Sequence, residues 1–93
     1  LSDEALIETL ALASEARTLA VVEARIASRR SALCASGTGT DCLLAATPQG
    51  SDPERYAGKH TALGACVGAA VHAAVCDGIE GWLAERSDGW RLA

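Results

Sequence analysis

The sequence predicts an α/β (α+β) fold in which two long helices flank a short pair of strands, in the order α-β-β-α. Three observations predict it. Apolar residues recur at helical spacing over the first thirty positions, and again from Thr61 onward. Between the two stretches, the turn Gly37-Thr38-Gly39 precedes an apolar run that Pro48 stops. A strand apolar on both faces, as Cys42-Leu43-Leu44-Ala45-Ala46 would be, belongs inside a larger sheet. The strand pair is therefore expected to be completed by a missing N-terminal half or by a partner chain.

The first helix starts at Ser2, a good N-cap, with Asp3 and Glu4 in the turn where the helix dipole favours negative charge. Leu6, Leu10, Ala13, Ala20 and Ala24 mark one apolar face. A rotated set, Leu19, Val22, Ile26 and Leu33, suggests a bend near Arg17 and Thr18 before an end around Arg29 and Arg30. Ser31 to Ser36 and Asp41 to Thr47 are the two strand segments. Gln49 to Arg55 reads as a surface loop, in which Asp52-Pro53 suits the start of a short helical turn. The second helix runs from Thr61 to about Arg86, with Leu63, Val67, Val71, Val75, Ile79 and Leu83 in contact spacing. Its Gly64-xxx-Gly68 pair reads as a packing groove. Ser87, Asp88 and Gly89 stop the helix, so residues 1–86 form one domain unit and 87–93 a tail containing Trp90.

The chain has 93 residues, 49% of them apolar and 22% charged, a globular balance and at most one domain. A net charge of −4, with no basic cluster beyond Arg29 and Arg30, argues against nucleic acid and anionic lipid as partners. The apolar run from Ala62 to Cys76 is short for a bilayer and carries His72, so no membrane span is expected. Cys34, Cys42, Cys66 and Cys76 lie mostly in apolar regular segments and are expected as free core thiols of a cytoplasmic protein. The sequence begins at Leu1 and contains no methionine, which reads as a fragment or processed piece.

Two polar, glycine-punctuated segments stand out: Gly37-Thr38-Gly39-Thr40-Asp41-Cys42, and Gly58-Lys59-His60-Thr61 before the second helix. Both sit at element ends, where functional residues collect. Gly37 and Gly39 allow close approach of backbone to a ligand, and Lys59, His60 and Thr61 stand where free helix amides bind an anion or oxyanion. One shared polar pocket is expected. A dinucleotide fingerprint fails because Cys42 stands where its third glycine belongs, and a P-loop fails at Pro53 and His60. A protein-held metal is not expected, since the cysteines are not closely paired and His60 and His72 would be roughly 18 Å apart on one helix.

Each candidate also has a plain structural use. Asp41 suits a turn cap as well as a base, Cys42 beside Leu43 reads first as a small core residue, and Lys59 suits a solvated surface. Thr38, Thr40 and Thr61 suit turns and caps, and His72 reads as a core or edge histidine. His60, between Lys59 and Thr61 beside a glycine, favours a functional role.

The first polar segment, the apolar run, Pro48, and then Tyr56-Ala57-Gly58-Lys59-His60-Thr61-x-Leu63-Gly64 resemble the adenosylcobinamide amidohydrolase family in order and wording. Glu15-Ala16-Arg17-Thr18-Leu19-Ala20 is similar to the helix preceding the family's threonine-glycine segment. The resemblance extends to about Leu83 and covers the family's C-terminal half. It departs at Arg29–Cys34 and in the tail. It implies an enzyme of cobinamide salvage, which hydrolyses the amide joining aminopropanol to the corrin ring and releases adenosylcobyric acid. It also implies a corrinoid substrate that brings its own cobalt, with no protein cofactor.

For that reaction, position and chemistry assign Asp41 or His60 as general base and Lys59 with the glycine-loop amides as oxyanion and propionamide binders. Thr38 or Thr40 would position the substrate, Gly58 and Thr61 would help bind it, and Cys42 is the reserve nucleophile. The alternative is a corrinoid- or partner-binding module without catalysis. A third reading is a helical assembly protein that dimerises through Gly64 and Gly68, and it leaves the Lys-His-Thr cluster without a purpose.

Overall fold

The computed structural model describes residues 1–50, 54–86 and 89–92. It is built on two helices, α1 (Asp3–Glu23) and α2 (Ala62–Ala84). Ser2 caps α1, its Oγ accepting the Ala5 N–H at 3.1 Å. Thr61 caps α2 in the same way through the Gly64 N–H at 2.9 Å. Each cap satisfies one of the amides that a helix start leaves unpaired.

Among the described residues there is no strand, which corrects the expected α/β (α-β-β-α) fold. The pairing is limited to two isolated antiparallel bridges, Ile26↔Arg91 and Ala27↔Cys34. Neither Ser31–Ser36 nor Asp41–Thr47 forms a strand, and residues 41–50 have no regular structure. The reason lies in the residues. Cys42-Leu43-Leu44-Ala45-Ala46 contains no β-branched or aromatic side chain, so it has little preference for a pleated surface. Gly39 before it and Pro48 after it leave too short a span for a helix. Leu44 is 87% exposed as a result.

The first helix is unbroken through Arg17 and Thr18 and ends at Glu23, several residues before the expected Arg29–Arg30. Arg25 turns the chain with a φ of 55°. The residues after it are then recruited elsewhere. Ala27 N–H donates to Trp90 O at 2.8 Å, Leu92 N–H to Arg25 O at 2.7 Å, and Ala35 N–H to Ile26 O at 2.7 Å. Tertiary pairing outweighs the helical periodicity that Ile26 continues. The same bonds tie Gly89–Leu92 back onto the fold. The suggested turn at Asp52-Pro53, and the Ser87 and Asp88 stop signals, lie outside the described residues.

The buried residues are Ala5, Leu12, Ala16, Ala20, Ala57 and Gly64. The face of α1 that packs is thus the alanine face, not the Leu6/Leu10 or Leu19/Val22 faces, since Leu19 is 52% exposed. Small side chains win because they let the glycine- and alanine-rich α2 approach closely. Lys59, just before α2, meets Glu15, and His72 of α2 meets Glu23. Both helices therefore point the same way, and α2 overshoots α1 by about three turns. Segments 26–39 and 89–92 fold against that overhang.

The helix α2 has 23 residues, and its most apolar 18-residue window has a mean hydropathy of 1.6, long and apolar enough by those measures to cross a membrane, with 6% of that window buried. The expectation of too short a run counted only to Cys76. All four cysteines are free, Cys42 and Cys66 exposed and Cys34 and Cys76 half-buried, so the expected core thiols are not in a core.

Candidate active site

The overhang of α2 and the segment folded against it enclose an open groove of about 980 Å³. Val75, Ile79, Trp82 and Trp90 form its apolar wall. Gly37, Thr38, Gly39, Asp41 and Arg17 form its polar end. The size and the mix of an apolar wall with a few convergent polar groups are those of a small-molecule site.

Asp41 organises the polar end. Its Oδ2 accepts the Thr38 backbone N–H at 2.9 Å, and its Oδ1 accepts the Thr38 hydroxyl at 2.8 Å. Arg17 Nη1 stands 3.1 Å from Oδ2. The Thr38 backbone N–H and then the Thr38 hydroxyl hold the Asp41 carboxyl below its ordinary value; burial opposes them, and the Arg17 charge adds a lesser lowering. A Cβ at Gly37 would collide with Oδ2 of Asp41, so a larger residue there would displace the carboxylate from this arrangement. Arg17 comes from the middle of α1, where Nη2 also reaches Ser14 and Thr18 at 3.4 Å. Its Nε is shielded from solvent and has no hydrogen-bond partner among the described residues.

The second polar segment lies along another side of α1. Ala57 N–H donates to Glu8 Oε1 at 3.0 Å, and Lys59 Nζ pairs with Glu15 Oε1 at 2.6 Å. Thr61 closes the turn, its N–H and hydroxyl both reaching Gly58 O, at 2.9 and 2.7 Å. His60 is exposed. Glu15 and Arg17 are two residues apart on a helix, hence about 200° apart around its axis. The body of α1 stands between the Lys59 and Asp41 clusters. The structure therefore gives two polar sites, not the expected shared pocket. Gly37, Thr38, Gly39 and Asp41 wall the groove, whereas Thr40, Cys42, Gly58, Lys59, His60 and Thr61 do not.

Sequence reasoning passed over Arg17, Glu8 and Trp90 as functional residues. Arg17 carried a readable signal, a single cation in the middle of an alanine-rich helix. Trp90 carried less, since it sits in an apparent tail. In the fold it meets Trp82 edge to face, 4.8 Å between ring centres, with Arg29 stacked over its ring at 3.7 Å. Among the described residues, no three His, Cys, Asp or Glu side chains are grouped to hold a metal ion.

No curated protein and no solved structure matches the chain. A family model does, over residues 1–87, which takes in both polar segments, α1, α2 and Arg17. The chain belongs to the family described as CbiZ, adenosylcobinamide amidohydrolase.

Proposed function

We propose that this chain acts on adenosylcobinamide, hydrolysing the amide that joins aminopropanol to the corrin ring and giving adenosylcobyric acid and aminopropanol. Family membership supports the reaction class. The observation that carries the site is the Arg17–Asp41–Thr38 corner of the groove, built from the glycine segment by which the chain resembles the family. The Arg17 guanidinium and the backbone amides of Gly37 and Gly39 would take the substrate carbonyl and the charge that develops on it. Asp41, kept ionised, would accept the N–H of the scissile amide or of a neighbouring propionamide. Trp82, Trp90 and Val75 offer the apolar wall against which a flat macrocycle can lie. Cobalt arrives inside the substrate and is not a resident cofactor. Lys59 and His60 would serve a second contact region on the far side of α1, with Gly58 and Thr61 shaping its turn.

A second reading is a corrinoid-binding module without turnover. It is favoured by the separation of the two polar clusters, which leaves no imidazole in the groove. One experiment distinguishes the two. The full chain is incubated with adenosylcobinamide, aminopropanol release is followed by mass spectrometry, and corrinoid binding is followed by quenching of Trp82 and Trp90 fluorescence. Hydrolysis predicts release by the parent and a loss of about ten- to a hundredfold in Asp41→Ala, the size expected from removing one hydrogen bond to a charged group, here the carboxylate that would hold the substrate N–H. Binding without release establishes the module. Neither binding nor release refutes both.

A further inference from the structure

Away from the groove, the structure brings together a thiol, an imidazole and a carboxylate. His72 and Cys76 are four residues apart on α2, so they share a face. Cys76 Sγ stands 3.8 Å from both ring nitrogens of His72. Glu23, in the last turn of α1, places Oε1 2.6 Å from His72 Nε2. With Nε2–H donated to Glu23, Nδ1 is the nitrogen left to take a proton from the thiol, once Sγ, equidistant from the two nitrogens and so lying over the ring, turns toward the ring plane. This is the order nucleophile, base, orienting carboxylate that activated thiols use. Sequence reasoning read His72 as a core or edge residue, because Glu23 lies 49 positions away in the chain.

We propose that Glu23, His72 and Cys76 form a thiol–disulfide exchange site, with Cys76 as nucleophile, His72 as proton carrier, Glu23 as positioning residue, and a small-molecule disulfide as reactant. The proposal is independent of amide hydrolysis, since neither His72 nor Cys76 lines the groove. Two features of the surroundings select this chemistry. The site is open, with Cys76 half-buried and the His72 and Glu23 side chains 36% and 55% exposed. It also sits in the middle of α2, where the backbone amides are committed to the helix and none is free to hold an oxyanion. Attack on a carbonyl would lack that support. Attack on a disulfide needs a thiolate and a proton for the leaving sulfur.

The Cys76 proton passes to His72 Nδ1 and the sulfur attacks one sulfur of R–S–S–R. The Cys76–S–R bond forms as the old S–S bond breaks. The departing R–S⁻ takes the proton back from His72 and leaves as R–SH. The Cys76 sulfur is oxidised and one R–S group is reduced. Cys66 is ten residues along the same helix, about 15 Å away, too far to resolve the mixed disulfide within α2. The mixed disulfide is the product that accumulates until an outside thiol removes it.

The test uses the full reduced chain with 5,5′-dithiobis(2-nitrobenzoate) as the disulfide, with site-resolved labelling read by peptide mass spectrometry. Cys76 should react about tenfold or more faster than Cys42 and Cys66, although those are the more exposed, because a positioned base contributes roughly 10²-fold or more. His72→Ala and His72→Gln should bring Cys76 down to the rate of Cys42 and Cys66, and Glu23→Gln should give an intermediate rate. A parent in which Cys76 reacts no faster than Cys42 and Cys66 overturns the proposal, as does an unchanged Cys76 rate in His72→Gln. If a variant unfolds, the labelling of all cysteines rises together, and the parent rates and Glu23→Gln then decide.

Discussion

Gly64 and Gly68 are one helical turn apart on α2, yet the same substitution should change stability in opposite directions. A Cβ at Gly64 would overlap Gly58 O and stand 2.5 Å from Ala57 O and 2.7 Å from Gly58 C. These are backbone atoms, which cannot swing aside as a side-chain tip does. Gly64→Ala therefore has to push the Ala57–Gly58 turn off the helix start. That turn carries the Ala57 N–H to Glu8 bond and supplies the carbonyl on which the Thr61 cap closes. Forcing in one extra methyl costs about 2 kcal/mol and a strained cap about 1 kcal/mol, against a helix-propensity gain of at most about 1 kcal/mol. The net is a destabilisation of about 2 kcal/mol, or a fall in Tm of roughly 10 °C for a chain of this size.

At Gly68 a Cβ meets nothing within 4 Å. Gly68→Ala keeps only the propensity term and should stabilise by about 0.5 to 1 kcal/mol, raising Tm by a few degrees. Thermal unfolding followed by helical circular dichroism measures both variants against the parent. Equal shifts in the two, or a Gly64→Ala as stable as the parent, would refute the close approach of the Ala57–Gly58 turn to α2.

Two further outcomes are expected. Asp41 has a carboxyl pKa lowered by folding, so its ionised form favours the native state, fully above about pH 4 and less as pH falls through the lower folded value. Asp41→Asn should then be less stable than the parent at pH 7, with the gap shrinking as pH falls below about 4; an Asp41→Asn as stable as the parent at pH 7, or a gap that does not change with pH, contradicts the Thr38 and Arg17 contacts. The Lys59–Glu15 pair is exposed on both sides, so Lys59→Ala should change stability by no more than about 0.5 kcal/mol in urea unfolding. Any larger loss of turnover in that variant belongs to chemistry and not to folding.

The helices were legible because their signals are local. Ser2 and Thr61 announce their caps within three residues, and α2 extends from Thr61 nearly to the expected end. The rest depended on contacts distant in sequence. Leu6, Leu10 and Leu19 looked like the buried face because they are large, whereas the alanine-rich partner packs on Ala5, Leu12, Ala16 and Ala20, of which only Ala20 belonged to an expected face. The apolar run 42–46 looked like a strand because Gly39 and Pro48 bound it, yet it lacks the β-branched residues that a strand prefers. At the site, Gly37, Thr38, Gly39 and Asp41 were readable as a ligand loop. Arg17 stood out as a lone cation in α1, but its pairing with that loop was not readable, because the sequence does not say which side of α1 the loop meets.

That choice of side bears directly on mechanism. A base that works near neutral pH is best matched by a group whose own pKa lies there, which a carboxylate held low by two bonds from Thr38 and a guanidinium is not. Asp41 is thus better suited to hold a substrate N–H than to remove a proton from water. The chain has two imidazoles, and neither is in the groove: His60 belongs to the turn whose Lys59 sits on the Glu15 side of α1, and His72 is held by Glu23. The geometry accordingly suits the proposed ligand-binding role of the groove better than hydrolysis there, and the hydrolysis rests on family membership alone. If turnover does occur at Asp41, the proton acceptor has to enter the groove from outside its present walls. An Asp41→Ala defect expressed in binding, beside a His60→Ala defect expressed in turnover alone, is the pattern that division of labour requires.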